Sequence, residues 1–398
     1  MNKKQTVLIS GAGIGGLTLA YWLTQYDYDV TIVERAATPR DGGYAVDVRG
    51  PAIEVIQKMG LLPEVREKAI HNDEVYVNEH DKVVAEPGKI MELFAGYGET
   101  ADAELMRGDL LHVLNKAIAK KVQFMWNNCI QECTQDALGA HVTFMHGAPR
   151  TFNMVVGADG LHSNVRRQVF GDKSEYTRHL GYYVSLFTIP NYLNLQDQER
   201  VYRTSGKLAG MYTTPKKDEA KAIFYFASPK LDYDFRDIAA QKRIVAEQFK
   251  DQSWEVPRLL TAMETAPDFY FDSISQITLD KWSKGRVALL GDAAYCASPL
   301  SGQGTSLALV GAYVLAGELK AAGGDYSKAF SAYEEAMREF VRVNQKSAAS
   351  SGKQFIPSSR FQRWFGDVNI RLLPRMPWRG AIVKMFRGPF DAIALKKY

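Results

Sequence analysis

Cysteine is scarce in this chain, and its few copies form no recognisable pair. The 398 residues contain three cysteines, Cys129, Cys133 and Cys296. An odd number without the paired spacing of a zinc site indicates a reducing, cytoplasmic compartment. The seven histidines show no ligand spacing either, and we therefore predict no metal site.

Long apolar runs and a strong net charge are also missing. The longest apolar helical run, 307–317, stops at Glu318, far short of the roughly 20 residues that span a bilayer. The amino terminus passes from two lysines directly into a strand-like run, which predicts no signal peptide. With 46% hydrophobic residues, 24% charged residues and a net charge of +4, the composition predicts a soluble protein of two or three domains and does not argue for nucleic acid.

The charge is unevenly distributed, because the carboxy-terminal part is basic. From Lys353 to Tyr398 there are ten Lys or Arg against two acids, so this tail carries +8 and the remainder −4. Aromatic residues are interleaved with its arginines: Phe361, Trp364, Phe365, Trp378 and Phe386. Three interpretations stay open, namely a lid over a substrate channel, a contact with an anionic membrane, or helices that brace two domains.

A dinucleotide-binding turn is indicated at the amino terminus. A strand over 6–10 runs into Gly11, Gly13 and Gly16, and an apolar helix follows. The first glycine permits the tight turn, the second lets the backbone approach a pyrophosphate, and the third lets helix and strand pack closely. The helix N-terminus then supplies amide donors for the phosphates.

An acid at the end of the next strand supports this interpretation. The strand "DVTIVER" places Glu34 where a carboxylate accepts both ribose hydroxyls of an adenosine, and it disfavours a 2′-phosphate. We therefore predict bound FAD or NAD rather than NADP, with Ile14 and Arg35 as further cofactor contacts.

Two later loops repeat the pattern of a strand that ends in glycine and an acid. "GADG" contains Asp159, and "GDAA" contains Asp292 and precedes P-x-S-G-Q-G at 299–304. An acid held at such a strand end accepts a hydroxyl of a sugar-like chain, and a helix that starts near Gln303 points its N-terminus at what lies beyond. The alternative for Asp159 is a strand-to-helix turn in which it satisfies its own backbone. We predict that the first and last loops hold the two ends of one long cofactor.

These three motifs, in this order, resemble those of the class A flavoprotein monooxygenases, the para-hydroxybenzoate hydroxylase type. The resemblance covers about residues 5 to 320. It implies an α/β protein in which a Rossmann-like FAD-binding domain is interleaved with a β-sheet substrate domain, followed by C-terminal helices. It also implies FAD contacts for the adenosine ribose, the middle of the cofactor, the ribityl chain and the flavin edge: Glu34, Arg107, Asp292, and Gly302, Gln303 and Gly304.

The expected domain limits follow from the positions of the motifs. The FAD-binding domain takes 1–70, 101–174 and 278–320, the substrate domain 71–100 and 175–277, and the helical region 321–398. Strands rich in β-branched and aromatic residues fill 175–277. Phe224 and Phe226 share one strand face and Tyr225 takes the other. Candidate substrate contacts are Tyr212, Phe224 and Pro299, with ordinary core burial as the alternative for any single aromatic.

A narrower resemblance is to the tetracycline-inactivating monooxygenases, the tetracycline destructases. It rests on "GGYAVDVRG", "MRGDL", "YVSLFTIPNYL" and "GDAAYCASPLSGQG", and on the extra C-terminal helices. It implies that Asp47 contacts FAD and that Arg40 lies where NADPH docks. The chain departs from the family pattern at Tyr295 and Thr305, where His and Asn are usual, and this weakens the substrate assignment more than the cofactor assignment.

The function implied is hydroxylation, and thereby inactivation, of a tetracycline-type polyketide. In that chemistry NADPH reduces FAD, and a C4a-hydroperoxyflavin formed with O₂ delivers one oxygen atom, so no side chain is assigned as catalytic. No second G-x-G-x-x-G is present, so NADPH would dock transiently. The alternatives are another aromatic or polyketide substrate, a flavin reductase or dehydrogenase, and a non-enzymatic binding protein. The missing W-x-W-x-I-P signature disfavours a halogenase.

Overall fold

The fold was analysed in a computed structural model of the chain. It describes residues 4–39, 43–88, 101–171, 175–373, 388–390 and 392–398. Arg40, the expected NADPH contact, lies outside the described residues.

The strands of the described residues form four sheets. In chain order they are β1 (Thr6–Ser10), β2 (Asp29–Val33), β3 (Ala45–Val48), β4 (Ala69–Ile70), β5 (Asp73–Val77), β6 (Val83–Ala85), β7 (Ala103–Met106), β8 (Gln123–Met125), β9 (Ile130–Gln135), β10 (Ala140–Phe144), β11 (Arg150–Phe152), β12 (Met154–Gly157), β13 (Thr177–Pro190), β14 (Gln198–Thr204), β15 (Lys207–Thr213), β16 (Glu219–Ala227), β17 (Tyr270–Ile277), β18 (Ser283–Lys284) and β19 (Val287–Leu289).

Helices connect these strands and follow them. The α-helices are α1 (Ile14–Gln25), α2 (Pro51–Lys58), α3 (Leu62–Glu67), α4 (Arg107–Ile118), α5 (Asn164–Phe170), α6 (Ile238–Phe249), α7 (Val256–Thr265), α8 (Asp292–Tyr295), α9 (Gly304–Ala321), α10 (Tyr326–Phe355) and α11 (Arg360–Leu372). Within the described ranges, no helix combines the length and the apolar character needed to cross a bilayer. The mixed α/β architecture with C-terminal helices confirms the predicted fold class.

A six-stranded sheet brings the three motif loops together. Its order is β18-β19-β12-β1-β2-β8, and all pairs except β18-β19 are parallel. Ser10 at the end of β1 pairs with Gly157 at the end of β12, and Gly157 pairs with Leu289 at the end of β19. Because parallel strands end at one edge, loops some 280 residues apart in sequence emerge side by side.

A seven-stranded sheet forms the second layer, in the order β17-β13-β16-β15-β14-β5-β6. One of its faces packs against α6, where the rings of Phe224 and Phe226 both contact Phe249. Tyr225, between them on β16, belongs to a separate apolar cluster on the other face. The predicted division of these three aromatics between two faces is confirmed. The domain limits given above stay a prediction.

The end of the chain returns to the buried helix α9. The Tyr398 ring lies against Gly317, its hydroxyl donates to Glu318 at 2.8 Å, and the ring meets Tyr313 edge-on at 5.3 Å. A Cβ atom on Gly317 would lie 2.1 Å from a carbon of the Tyr398 ring. The glycine therefore makes room for the C-terminal tyrosine.

The contact between Gly317 and Tyr398 predicts that alanine at position 317 destabilises the protein, although alanine usually stabilises a helix relative to glycine. Gly317→Ala should lower the free energy of unfolding by about 1–3 kcal/mol, because overpacking outweighs the better helix propensity of alanine. In a Tyr398→Ala background the same substitution should be neutral or stabilising. Urea unfolding of the four proteins of this double-mutant cycle measures the coupling. Equal effects in both backgrounds would contradict the contact.

Candidate functional site

Two clefts meet at the carboxyl edge of the six-stranded sheet. The first cleft is lined by residues that include Ser10, Gly11, Glu34, Arg35, Asn115, Trp126 and Asp159. The second cleft is lined by residues that include Tyr44, Asp47, Tyr225, Asp292, Cys296 and Pro299. Both share Gly13, Arg107, Ala158 and Gly160. The two form one long channel, with empty spaces of about 970 and 1090 Å³ that include part open to solvent.

The three glycines of the first motif differ in the space around them. Gly11 has φ +108°, and a Cβ there would lie 2.6 Å from the carbonyl oxygen of Ala158. A Cβ on Gly16 would lie 2.1 Å from the carbonyl oxygen of Gly11. A Cβ on Gly13, by contrast, would have no heavy atom closer than 4.0 Å. The first and third glycines are therefore required by packing, whereas the second leaves open space facing the clefts.

Glu34 joins the end of β2 to the glycine turn. Its carboxylate accepts the backbone N–H groups of Ala12 at 2.8 Å and Ala36 at 2.9 Å. Glu34 also lines the first cleft, and a carboxylate has about four lone-pair sites in all. Asn115 adds a buried side-chain oxygen with no hydrogen-bond partner among the described residues.

Two helix N-termini face the channel without side-chain caps. Helix α1 begins after Gly13 and α9 begins after Gln303, and neither N-cap side chain makes a capping hydrogen bond. The first-turn N–H groups of a helix lack intrahelical partners and carry positive potential. The channel therefore has one anion-attracting helix end in its middle and another in the second cleft.

Asp292 is the only exposed residue in the otherwise buried segment 291–297. Its exposure is toward the second cleft, and protein atoms surround it elsewhere. The surrounding protein atoms desolvate the carboxyl group and so raise the pKa of Asp292. A hydrogen bond with Cys296 and the charges of Arg107 and Arg166 act in the opposite direction and lower that pKa. A carboxyl group in this position is available to a hydroxyl-bearing ligand.

Arg166 ties the two later motif loops together, a role that the sequence alone did not reveal. Its side chain is 1% exposed and donates to the carbonyl oxygens of Ala293 at 2.8 Å and Leu161. Asp159, also in the "GADG" loop, accepts the backbone N–H groups of Asn164 at 2.9 Å and Val165 at 3.2 Å. It thereby supports the start of α5 while it lines the first cleft. In the sequence, Arg166 stands six residues after the end of the "GADG" motif, and that position alone does not indicate a contact with the later loop.

The predicted middle contact, Arg107, lies where the two clefts join. It is the first residue of α4, and its N–H donates to the carbonyl oxygen of Tyr44 at 2.9 Å. Asp47 lines the second cleft and is paired with Arg49 at 2.9 Å. Sequence reasoning missed Tyr44 and Tyr225, which also line the second cleft.

The predicted substrate and flavin-edge residues divide into two groups. Pro299, Gly302 and Gly304 line the second cleft. Phe224 is fully buried against α6, and Tyr212 is 5% exposed and accepts the N–H of Ala45 at 3.3 Å. Neither aromatic lines the clefts.

Gln303 also lies away from the channel lining. It is fully buried, and neither polar atom of its side-chain amide has a partner among the described residues. The predicted contact of Gln303 with the flavin edge stays a prediction. Tyr295, one departure from the family pattern, is 1% exposed and shares a 2.9 Å hydrogen bond with the hydroxyl of Tyr333.

Acidic side chains gather beside the second cleft on neighbouring strands. Asp47 is opposite Glu104 on β3 and β7, and Glu199 is opposite Glu74 on β14 and β5. Burial and the charge of Asp47 raise the pKa of Glu104 to about 7, against the lowering effect of Arg49. Burial raises the pKa of Glu74 to about 7 as well, with Arg203 opposing it.

These shifts predict a pH-dependent stability. Folded Glu104 holds its proton up to about pH 7, whereas its ordinary pKa is 4.5, so the native state binds more protons in this window. Stability should therefore fall as pH rises through it. Glu104→Gln should reduce that loss by about 1 kcal/mol between about pH 5 and 8, as measured by urea unfolding at each pH. An unchanged slope would show that Glu104 ionises normally.

The residues of the channel fit FAD. The open space at Gly13 and the uncapped start of α1 suit a pyrophosphate between the two clefts. Glu34 and the unpartnered oxygen of Asn115 supply acceptors on one side, and Asp292 supplies one on the other. The uncapped start of α9 would face the ring system.

Comparisons with known proteins agree with this geometry. A family model described as "FAD binding domain" matches residues 4–344. A flavin-dependent monooxygenase of Legionella longbeachae is 40% identical over 362 residues, 89% of this chain and 91% of its own length. An uncharacterized protein of Mycobacterium tuberculosis is 41% identical over 370 residues, 92% of this chain and 99% of its own. The crystal structure of the tetracycline destructase Tet(55) superposes with a TM-score of 0.86 and 37% identity, covering 100% of both chains.

Proposed function

This chain belongs to the FAD-binding-domain family and is a flavin-dependent monooxygenase, and from that premise we propose that it uses NADPH to hydroxylate tetracycline-type polyketides. The motif resemblance to class A flavoprotein monooxygenases is confirmed by the family match. The substrate, the use of NADPH, the inactivating outcome and a cytoplasmic location are parts of the proposal.

When bound, FAD would supply the redox chemistry by passing two electrons from NADPH to O₂. The reaction balances as substrate C–H, O₂, NADPH and a proton giving substrate C–OH, NADP⁺ and water. The oxygen is electrophilic, so the site of attack must be an electron-rich carbon. The enolic carbons of a β-diketone meet this requirement, as do phenols.

The protein's own groups would bind, orient and exclude water. The first-turn amides of α9, beginning after Gln303, would stabilise negative charge on the ring system. Asp292 would accept a ribityl hydroxyl, and Glu34 the ribose hydroxyls. The rings of Tyr44 and Tyr225, which line the second cleft, would offer a partly apolar wall to a flat substrate.

The observation that carries the substrate assignment is the full-length similarity to Tet(55), including the C-terminal helices α10 and α11. A small-phenol hydroxylase is the main alternative. Tetracycline is the substrate class of that neighbour, and the experiment that follows tests whether this chain acts on the same class.

The test is turnover with purified, FAD-loaded enzyme. We expect tetracycline to stimulate NADPH oxidation and O₂ uptake in equal amounts, with loss of tetracycline absorbance and one added oxygen atom by mass spectrometry. Stimulation by simple phenols alone would refute the substrate assignment and keep the monooxygenase assignment. Substrate reduction without O₂ uptake would indicate a flavin reductase instead.

A further inference from the structure

Helix α11 presents an aromatic stripe to solvent. Phe361, Trp364 and Phe365 are 69%, 59% and 54% exposed. They follow the i, i+3, i+4 spacing that places side chains on one side of a helix, and Leu372, 44% exposed, continues that side three turns from Phe361. These four residues are the aromatic stripe.

A different side of α11 from the stripe contacts the rest of the protein, through charged groups and Ile370. Asp367 forms a buried ion pair with Arg203 of β14. Arg363 donates to the carbonyl oxygen of Arg203 at 2.8 Å, and Arg371 donates to that of Val84 in β6. A surface helix normally buries its apolar side. A role in bracing accounts for the side of α11 that carries Asp367 and Ile370, which packs against an apolar cluster, but it does not account for the exposed stripe.

The exposed charges of α11 itself are positive. Asp367 is the only acid of α11 and is neutralised by Arg203, whereas Arg360 and Arg371 are exposed. A symmetric contact with a second copy would bring these cationic surfaces together, which is unfavourable.

We propose that α11 binds the surface of an anionic lipid bilayer through the aromatic stripe. Trp and Phe are suited to the headgroup boundary, and arginines at the edges of an apolar side pair with anionic headgroups. The helix would lie in the plane of the membrane surface, held to the enzyme by its Arg203–Asp367 pair. This inference does not depend on which substrate the enzyme oxidises.

The test compares vesicle binding of FAD-loaded, full-length proteins. The probes are phosphatidylcholine vesicles and vesicles in which about one third of the lipid is phosphatidylglycerol. We expect sedimentation with the anionic vesicles only, reduced at least tenfold in Phe361→Ser/Trp364→Ser/Phe365→Ser and weakened by salt. A matched control, Leu138→Ser/Met145→Ser, changes residues that are 83% and 49% exposed elsewhere and should bind like the parent protein.

Flavin absorbance and thermal unfolding of each variant verify that the fold is retained. Arg360→Glu should weaken binding to anionic vesicles without changing either readout. The proposal is overturned if the triple variant binds as well as the parent or if neutral vesicles bind equally. It is also overturned if the parent, but not the triple variant, forms dimers by light scattering, or binds single-stranded DNA in place of vesicles.

Discussion

Replacing Asp292 by alanine should yield a folded protein that has lost its flavin. The carboxyl group is the exposed member of a buried segment and faces the second cleft. A hydrogen bond to a charged group contributes about 1.5–3 kcal/mol, so FAD affinity should fall roughly 10- to 100-fold. The apoprotein should be no less stable, because burial disfavours the ionised carboxylate. Flavin absorbance after purification and a fluorescence titration of apoprotein with FAD measure the loss.

Two controls separate this effect from a general loss of charge or structure. Asp251→Ala removes an exposed acid that lines neither cleft. This variant should retain FAD. Asp292→Asn keeps a side-chain acceptor and should bind FAD with intermediate affinity. If Asp292→Ala purifies with a full complement of flavin, the carboxyl group does not contact the cofactor.

Gly13→Asp should abolish FAD binding while the apoprotein keeps its fold. Gly13 has an extended conformation (φ −81°, ψ −179°) that any residue adopts, and the space beside it is open. Aspartate is also a preferred N-cap and interacts favourably with the start of α1. The new carboxylate would occupy the pyrophosphate position and repel its charge, so we expect at least a 100-fold loss of affinity, about 2.7 kcal/mol or more.

The neutral variant Gly13→Asn tests how much of this loss comes from charge. It has nearly the same volume and is an equally good N-cap, so it should bind FAD better than Gly13→Asp and worse than the parent. Thermal unfolding of the three apoproteins should be alike. A flavin-loaded Gly13→Asp protein would show that the pyrophosphate lies elsewhere.

Much of the lining of the two clefts was predictable because its sequence signals are local. A strand, three glycines and a helix specify the turn at Gly11 within about a dozen residues, and the packing of Gly11 and Gly16 explains why only glycine fits there. Glu34 was identifiable from its distance to that turn. The aromatic lining of the second cleft was less predictable, since Phe224 and Tyr225 are adjacent aromatics with similar strand propensity. Strand alternation separated their faces but did not say which face meets the cleft.

The sequence by itself determined the order of the three motifs, the α/β class and the choice of a long dinucleotide cofactor, because each depends on short-range spacing. Only the tertiary structure decided that β1, β12 and β19 end side by side, that Arg166 joins two loops, and that Tyr225 rather than Phe224 lines the second cleft. It also decided which side of α11 meets the rest of the protein, since the partner of Asp367 is Arg203, 164 residues away. Contacts of this kind depend on how sheets and helices pack, and periodicity within one segment does not encode the surface that it meets.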